Sequence, residues 1–177
     1  IVNLFDYGMG RYNKIDDYPF GGGDGMVLSP KPLSNAIEEI FSKHGSKDFE
    51  IIFPTPDGEK LNQSKSIKLT KSKKNIFICG HYKGIDQRIR DKYVTNEISI
   101  GDYVLTGGEL PALIILDSIV RIIPGVINNI NSAQTDSFSN DLLDSPNYTR
   151  PEQFMNLKTP DILLSGNHKK IKMWKLK

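Results

Sequence analysis

Residues 97–112 read EISIGDYVLTGGELPA. The β-branched residues at its start predict a strand that ends at Gly101, and the glycines at 107 and 108 precede the start of a helix. Glycines in such a turn let the backbone approach a ligand closely, so the stretch suits a site that holds a flat molecule with main-chain N–H and C=O groups. The same pattern also fits an ordinary strand-turn-helix connection.

The composition is that of a soluble globular protein. Of the 177 residues, 38% are hydrophobic and 25% are charged, which argues against intrinsic disorder. The longest apolar run, residues 112–120, is interrupted by Asp117 and Ser118 and is too short to span a bilayer. A single cysteine excludes an internal disulfide, and the three scattered histidines offer no zinc spacing. We therefore expect a cytoplasmic protein with no membrane segment.

The net charge is only +2, but the lysines are concentrated in two runs. Residues 60–74 hold six lysines and residues 168–177 hold five, and neither run contains an acidic residue. Either run could contact a polyanion such as a nucleic acid, and a solvated helix surface is the alternative for each.

Strand and helix signals alternate along the chain. Short apolar runs predict strands at residues 1–5, 49–53, 75–79, 98–100 and 161–165. Helical spacing predicts a helix around residues 33–41 that stops at Gly45, another that ends near residue 93, and a final basic helix capped by Asn167. The most strongly apolar helix is expected at 109–123. Leu113, Leu116, Val120 and Ile123 fall on one face of this helix, which is expected to stop at Pro124-Gly125.

This alternation predicts an α/β fold with a mainly parallel sheet covered on both faces. Ligands of such sheets bind beyond the carboxyl ends of the strands. Three turns in these places are unusual: PTPDG at 54–58, CGHYKG at 79–84 and IGDYVLTGG at 100–108. We expect them to converge on one site.

Nucleotide-binding fingerprints are not supported. The run GGGDGM at 21–26 lacks the Gly-Lys-Ser/Thr ending of a phosphate loop, and a G-x-G-x-x-G frame started at Gly21 meets Met26 at its last position. A dehydrogenase is therefore disfavoured.

Seven motifs, in their order along nearly the whole chain, resemble the bacterial tRNA (guanine-N1) methyltransferases of the TrmD family. They are IDDYPFGGG (15–23), CGHYKGIDQR (79–88), ISIGDYVLTGGELP (98–111), RIIPGV (121–126), TDSF (135–138), YTRP (148–151) and LLSGNH (163–168).

This resemblance implies a fold, an assembly and a reaction. The fold is a SPOUT-type deep trefoil knot, with residues 1–126 forming the knotted cofactor domain, 127–142 a flexible linker and 143–177 the start of a truncated helical tRNA-binding domain. A further strand and helix are expected before residue 1. The implied enzyme is a homodimer that uses S-adenosylmethionine to methylate N1 of the guanine 3′ of the tRNA anticodon. A Mg²⁺ dependence is also implied, although the sequence shows no dedicated carboxylate cage for it.

The resemblance also assigns roles to individual residues. Asp136 would act as the general base, and Arg121 would stabilise negative charge on guanine O6, although it could instead offset a helix dipole. The residues expected to bind the cofactor are Pro54, Thr55, Gly80, Tyr82, Ser99, Ile100, Gly101, Asp102, Tyr103, Val104, Leu105, Gly107, Gly108 and Pro111. Those expected to approach the guanine are Gly21, Gly22, Gly23 and Gly25.

Some positions receive no role. Phe53, Asp57, His81 and Lys83 vary within the family, and Cys79 is expected to be a small buried strand residue. The alternative to an active enzyme is a truncated, catalytically impaired remnant of the same family that binds RNA or dimerises.

Overall fold

The computed structural model describes residues 1–126, 137–138 and 143–176. The chain divides into two compact units, Ile1–Ile127 and Asn128–Lys177. In chain order, the first unit contains β1 (Asp16–Asp17), β2 (Val27–Leu28), α1 (Pro30–His44), β3 (Glu50–Lys60), α2 (Gln63–Leu69), β4 (Asn75–Phe77), α3 (Gln87–Tyr93), β5 (Asn96–Ser99) and α4 (Glu109–Val120). Within the described ranges, no helix combines the length and the apolar content needed to cross a membrane.

The central sheet has three strands in the order β4-β3-β5, and both pairs of strands are parallel. In register, Ile52 lies opposite Phe77 on one side and opposite Asn96 on the other. Parallel neighbours require crossover connections, and α2 and α3 follow β3 and β4 in that role. The predicted α/β fold with a parallel sheet is confirmed.

Both faces of the sheet are covered, as predicted. Because neighbouring side chains of a strand point to opposite faces, Ile51 and Phe53 of β3 belong to one core cluster and Ile52 to the other. The first cluster packs beneath α1 and α3, and the second beneath α2 and α4. Ile52 has no exposed surface. Burial on both faces accounts for the unbroken apolar run at the start of β3.

The apolar face that the sequence indicates on α4 is not the face that the helix buries. The residues that α4 buries are Ala112, Ile115 and Ile119, whereas Leu113 and Leu116 are exposed. The helix also ends at Val120, before Ile123. Because α4 is apolar on almost every side, its periodicity could not distinguish the stripe that packs on the sheet from the stripe that faces away.

Two predicted strands are helices. The first predicted strand, 1–5, overlaps a 3-10 helix at Leu4–Tyr7. The Asn3 side chain caps the start of this helix by accepting a hydrogen bond from the Phe5 backbone N–H. In the segment 161–165, Asp161–Leu164 form a helical turn, α5, directly after Pro160. Apolar runs this short carry no usable period, and a side-chain cap or a preceding proline decides their conformation.

The predicted turn at 54–58 lies inside a longer strand. β3 continues to Lys60, but Pro54 and Glu59 both lie opposite Ile98, so residues 55–58 leave the ladder as a bulge. At the end of this bulge, a Cβ on Gly58 would lie 2.6 Å from the carbonyl carbon of Glu97. Glycine is therefore required where the chain returns to β5.

The second unit is small. It contains an antiparallel hairpin of β6 (Gln153–Phe154) and β7 (Leu157–Lys158), followed by α5 and by α6 (His168–Lys175). The predicted cap of the last helix is confirmed, since the Asn167 side chain accepts a hydrogen bond of 3.1 Å from the Lys170 backbone N–H.

Candidate functional site

A cavity of about 240 Å³ lies beyond the carboxyl ends of the three parallel strands. Its walls come from the three turns that the sequence singled out. They are residues 53–56 of β3, 80–84 after β4, 98–99 at the end of β5, and 100–101, 103–108 and 111 after it. The parallel arrangement brings these turns together because strands running the same way end at the same edge of the sheet.

Backbone contacts join the second turn to the third. The Gly108 N–H donates a 2.8 Å hydrogen bond to the Gly80 carbonyl, and His81 and Gly107 form an isolated antiparallel bridge. A Cβ on Gly108 would lie 2.7 Å from the Gly80 nitrogen and 2.8 Å from the Cys79 Cα. Backbone atoms at these distances cannot move aside, so only glycine at 108 allows the two turns to meet.

The third turn folds back on itself. The Ser99 hydroxyl accepts a hydrogen bond from the Gly101 N–H, and the Tyr103 N–H donates to the Gly101 carbonyl. A Cβ on Gly101 would lie 2.4 Å from the Tyr103 ring. The fold leaves the Tyr103, Val104 and Leu105 side chains at least 40% exposed around the cavity. Apolar groups exposed together in a concave site suit a ligand with a flat apolar part.

Tyr82 shapes the wall of the second turn. Its backbone has a φ of 58°, a left-handed conformation that bulky residues rarely adopt. The side chain is 61% exposed and lines the cavity. Strained backbone of this kind persists where the surrounding structure holds it, and it clusters at ligand sites.

A side-chain hydrogen bond links the second turn to the first residue of α4. His81 Nε2 lies 2.7 Å from a Glu109 carboxylate oxygen. The hydrogen bond with His81 holds the pKa of Glu109 below its usual value. Both side chains are about half exposed, so we give the pair little weight in stability. His81 itself lines the cavity, which the sequence reasoning did not foresee.

Nearly all of the predicted cofactor residues lie together around this cavity. They are Pro54, Thr55, Gly80, Tyr82, Ser99, Ile100, Gly101, Tyr103, Val104, Leu105, Gly107, Gly108 and Pro111. Asp102 is not among the lining residues, and its carboxylate accepts a 2.6 Å hydrogen bond from the Lys60 ammonium group. The lining residues that the sequence reasoning missed are Phe53, Pro56, His81, Lys83, Gly84, Ile98 and Thr106. Five of these seven lie inside the three predicted turns without having been assigned to the cofactor, and Phe53 and Ile98 lie just before a turn.

The predicted guanine-contacting glycines form an exposed loop with positive φ at all four positions: Gly21, Gly22, Gly23 and Gly25. The loop reaches the rim of the cavity through Lys83. A Cβ on Gly25 would lie 3.1 Å from Lys83 Cγ, and the Lys83 N–H donates a 2.9 Å hydrogen bond to the Met26 carbonyl.

The structure does not bring Arg121 to the cavity of its own chain. Arg121 follows the last residue of α4, whereas Pro111, near the start of the helix, lines the cavity. At 1.5 Å per residue, the separation along the helix is about 15 Å. The other predicted catalytic residue, Asp136, lies outside the described residues.

Neither a reactive thiol nor a metal centre is evident in the part of the chain that the structure describes. Burial, and secondly the nearby Glu109 carboxylate, raise the pKa of the Cys79 thiol, which keeps it protonated at neutral pH. No group of three or more His, Cys, Asp or Glu side chains in the described ranges could hold a metal ion.

Comparison with known proteins identifies the family. A sequence profile of the family described as "tRNA (Guanine-1)-methyltransferase TrmD" matches residues 1–177. The chain belongs to the TrmD family. The resemblance inferred from the seven motifs is therefore confirmed, and the chain is an enzyme of the TrmD family.

Relatives with high identity carry the same name. The tRNA (guanine-N(1)-)-methyltransferase of Oceanobacillus iheyensis is 52% identical over 177 residues, which is the whole of this chain and 72% of that protein. The Clostridioides difficile protein of that name is 51% identical over 175 residues, covering 99% of this chain and 76% of its own length. The Staphylococcus aureus protein is 52% identical over 174 residues, with 98% and 70% covered.

Proposed function

We propose that this TrmD family chain transfers a methyl group from S-adenosylmethionine to N1 of a guanine in tRNA, the guanine immediately 3′ of the anticodon. The observation that carries the proposal is the cavity at the carboxyl edge of the sheet, built from the three motif turns. A tRNA substrate fits the cytoplasmic location expected from the sequence.

The residues around the cavity fit S-adenosylmethionine. Glycines at 80, 101, 107 and 108 let the turns around the cavity pack closely, since a Cβ at each would lie within 3 Å of another protein atom. The main-chain groups of Ile100, Tyr103 and Leu105 can recognise the edge of an adenine ring, while exposed apolar side chains pack on its faces. The cofactor supplies an electrophilic methyl group on its sulfonium.

The proposed chain path is the deep trefoil knot of the SPOUT class, formed by residues 1–126. Family membership supports it, as does the tight backbone packing of Gly108 against the turn after β4. Residues 127–142 are proposed as an interdomain linker, and 143–177 as the start of the tRNA-binding region.

The chemistry assigned to the protein is proton removal and charge stabilisation. Guanine N1 is a weak acid that must lose its proton as the methyl group arrives, and we assign that proton to the Asp136 carboxylate. Negative charge then spreads onto guanine O6, where the Arg121 guanidinium stabilises it. The glycine loop at 21–25 lies beside Lys83 at the rim, in a suitable place to approach the base.

Arg121 lies far from the cavity of its own chain. This distance supports a homodimer in which the partner chain supplies the arginine that completes each site. The outward stripe of α4 favours the same assembly, because Leu110, Leu113, Ile114 and Leu116 are 41–63% exposed and apolar. A contiguous apolar surface on a helix marks an interaction site.

We expect a dimeric mass by light scattering at micromolar concentration. Ile114→Glu should shift the protein to a monomer and abolish methyl transfer. A charge buried at the centre of an apolar interface costs roughly several kcal/mol of association free energy. Lys92→Glu on α3, which changes charge away from this stripe, is the control. A parent that is monomeric and active would contradict the dimer.

Calorimetric titration with S-adenosylmethionine tests the site. The parent should bind, and Gly107→Val should weaken binding at least about tenfold with little loss of fold. A Cβ on Gly107 would lie 2.4 Å from the Glu109 carboxylate and 2.7 Å from the His81 ring, both at the ends of exposed side chains that can move.

The control is Glu109→Gln, which weakens the His81 pair without adding bulk, and it should bind nearly as the parent does. Unchanged affinity in a folded Gly107→Val protein would remove the cavity assignment. If the parent binds the cofactor but methylates no tRNA, with or without added Mg²⁺, the alternative of an impaired remnant would replace our proposal.

A further inference from the structure

Arg90 on α3 joins two carboxylates behind the cavity. Its Nε and Nη2 donate hydrogen bonds of 2.7 and 2.6 Å to the two carboxylate oxygens of Glu97 on β5. Nη2 also donates a 2.8 Å hydrogen bond to Asp57, in the bulge of β3. The Arg90 side chain is only 17% exposed. A forked, largely buried guanidinium of this kind fixes geometry as well as charge.

The same guanidinium supports a residue of the cavity wall. Its central carbon lies 5.5 Å from the centroid of the Phe53 ring. Phe53 is buried, lines the cavity and lies against the second turn, where a Cβ on Gly80 would be 2.9 Å from the ring. Arg90 therefore contacts the first wall from behind, on the side away from the ligand space.

Asp57 links Arg90 to Thr55, a residue of the bulge that lines the cavity. One of its carboxylate oxygens accepts a hydrogen bond from the Thr55 hydroxyl, and the other accepts from Arg90. Thr55 lines the cavity, whereas Asp57 does not. Residues 55–58 have left the ladder with β5, since Pro54 and Glu59 both lie opposite Ile98. The position of Thr55 thus depends on side-chain contacts more than on sheet hydrogen bonds.

We propose that Arg90, acting through Asp57, is a positioning residue that holds the bulge at 55–58 as the first wall of the cavity and so sets the affinity for the cofactor. The inference rests on the proposed function for the identity of the ligand. It assigns roles to Asp57 and Phe53, two positions that received none from the sequence motifs.

The two arms of Arg90 differ in what they stabilise. Asp57 is 62% exposed, and exposed ion pairs contribute little to global stability. Glu97 is 34% exposed and ties α3 to β5 through a two-bond fork. Hydrogen bonds from Thr55 and Arg90 hold the pKa of Asp57 below its usual value, so the carboxylate is charged at neutral pH. Removing the Asp57 arm should therefore loosen the wall without unfolding the protein.

Asp57→Asn is the main test, and Glu59→Gln is its matched control. Glu59 lies at the end of the same bulge and loses the same charge, but it pairs with Lys65 and does not line the cavity. In the ligand-free protein, hydrogen exchange at the amides of Thr55, residue 57 and Gly58 should be at least about tenfold faster in Asp57→Asn than in the parent or the control. Thermal midpoints of the three proteins should agree.

The consequence for binding is measured by calorimetry. S-adenosylmethionine should bind Asp57→Asn about tenfold more weakly than the parent, a difference of about 1.4 kcal/mol, and the control should match the parent. In methyl transfer, KM for the cofactor should rise while kcat stays near the parent value, because the wall contributes to binding and not to chemistry. Adding Arg90→Met to Asp57→Asn removes the same hydrogen bond, so any further weakening reports the other contacts of Arg90, with Phe53 and Glu97.

The outcomes separate the two proposals. A parent that fails to bind the cofactor overturns the proposed function. Even then, hydrogen exchange that is faster in Asp57→Asn than in the parent and the control supports the positioning role of Arg90. A parent that binds, with exchange and affinity unchanged in Asp57→Asn, overturns the positioning role and leaves the proposed function standing. Because Arg90→Met removes both hydrogen bonds from the Glu97 carboxylate and so destabilises the fold, Asp57→Asn decides the inference.

Discussion

Asp136→Asn is expected to slow methyl transfer to tRNA by about a hundredfold to ten-thousandfold. The amide keeps the size of the side chain but cannot accept the N1 proton of guanine. The affinity for S-adenosylmethionine should stay at the parent value, because none of the turns that form the cavity includes this residue. Single-turnover rates on a tRNA transcript, with binding measured by calorimetry, separate the loss of chemistry from any loss of cofactor.

Asp144→Asn provides the matched control. It removes a carboxylate eight residues further along the chain, where Asp144 accepts hydrogen bonds from Ser145 and Asn147. We expect this variant to transfer methyl groups at the parent rate. If Asp136→Asn also reacts at the parent rate, proton removal is handled by another group, and the assignment of Asp136 as general base must be abandoned.

The site could be predicted because its signals are local. Glycine positions at the ends of three apolar strands mark turns that need close backbone approach, and the rule for parallel sheets places such turns at one edge. Gly80 and Gly108 illustrate this, since each lies in a motif of its own and the two meet through a hydrogen bond.

What the sequence could not supply depends on packing. Periodicity cannot distinguish the two apolar stripes of α4, because both show helical spacing. Ile115 is buried because it packs with Ile52 and Ile98 in one core cluster. Likewise, Asp57 and Arg90 are 33 positions apart, and no local pattern joins them. The bulge at 55–58 resembled a strand-ending turn because the proline and glycine signals are the same in both.

The second large effect is expected from Arg121→Lys, which should lower methyl transfer by about a hundredfold or more. An ammonium group keeps the charge but cannot reproduce the planar, forked donors that stabilise charge on guanine O6. The same substitution tests the structural alternative. If Arg121 only offsets the dipole of α4, lysine at the same helix end would serve equally well, and the rate would not change.

Arg88→Lys on α3 is the control for this substitution. Arg88 is an exposed arginine that pairs with Asp86, so its replacement should leave the rate at the parent value. Cofactor affinity should be unchanged in both variants. A parent rate in Arg121→Lys would show that the residue is structural and would remove it from the mechanism.

Mixed dimers decide which chain Arg121 serves. In a dimer of one Arg121→Lys chain and one Gly107→Val chain, the intact cavity and the intact arginine are on different chains. If Arg121 completes the site of its partner, the intact cavity receives the intact arginine. At a cofactor concentration too low to occupy the Gly107→Val cavity, random mixing of the two impaired variants should restore about a quarter of the parent rate. If Arg121 served its own chain, every site in the mixture would be defective and the rate would stay near zero. Because about 15 Å of α4 separates Arg121 from the cavity beside it, we expect the restored rate.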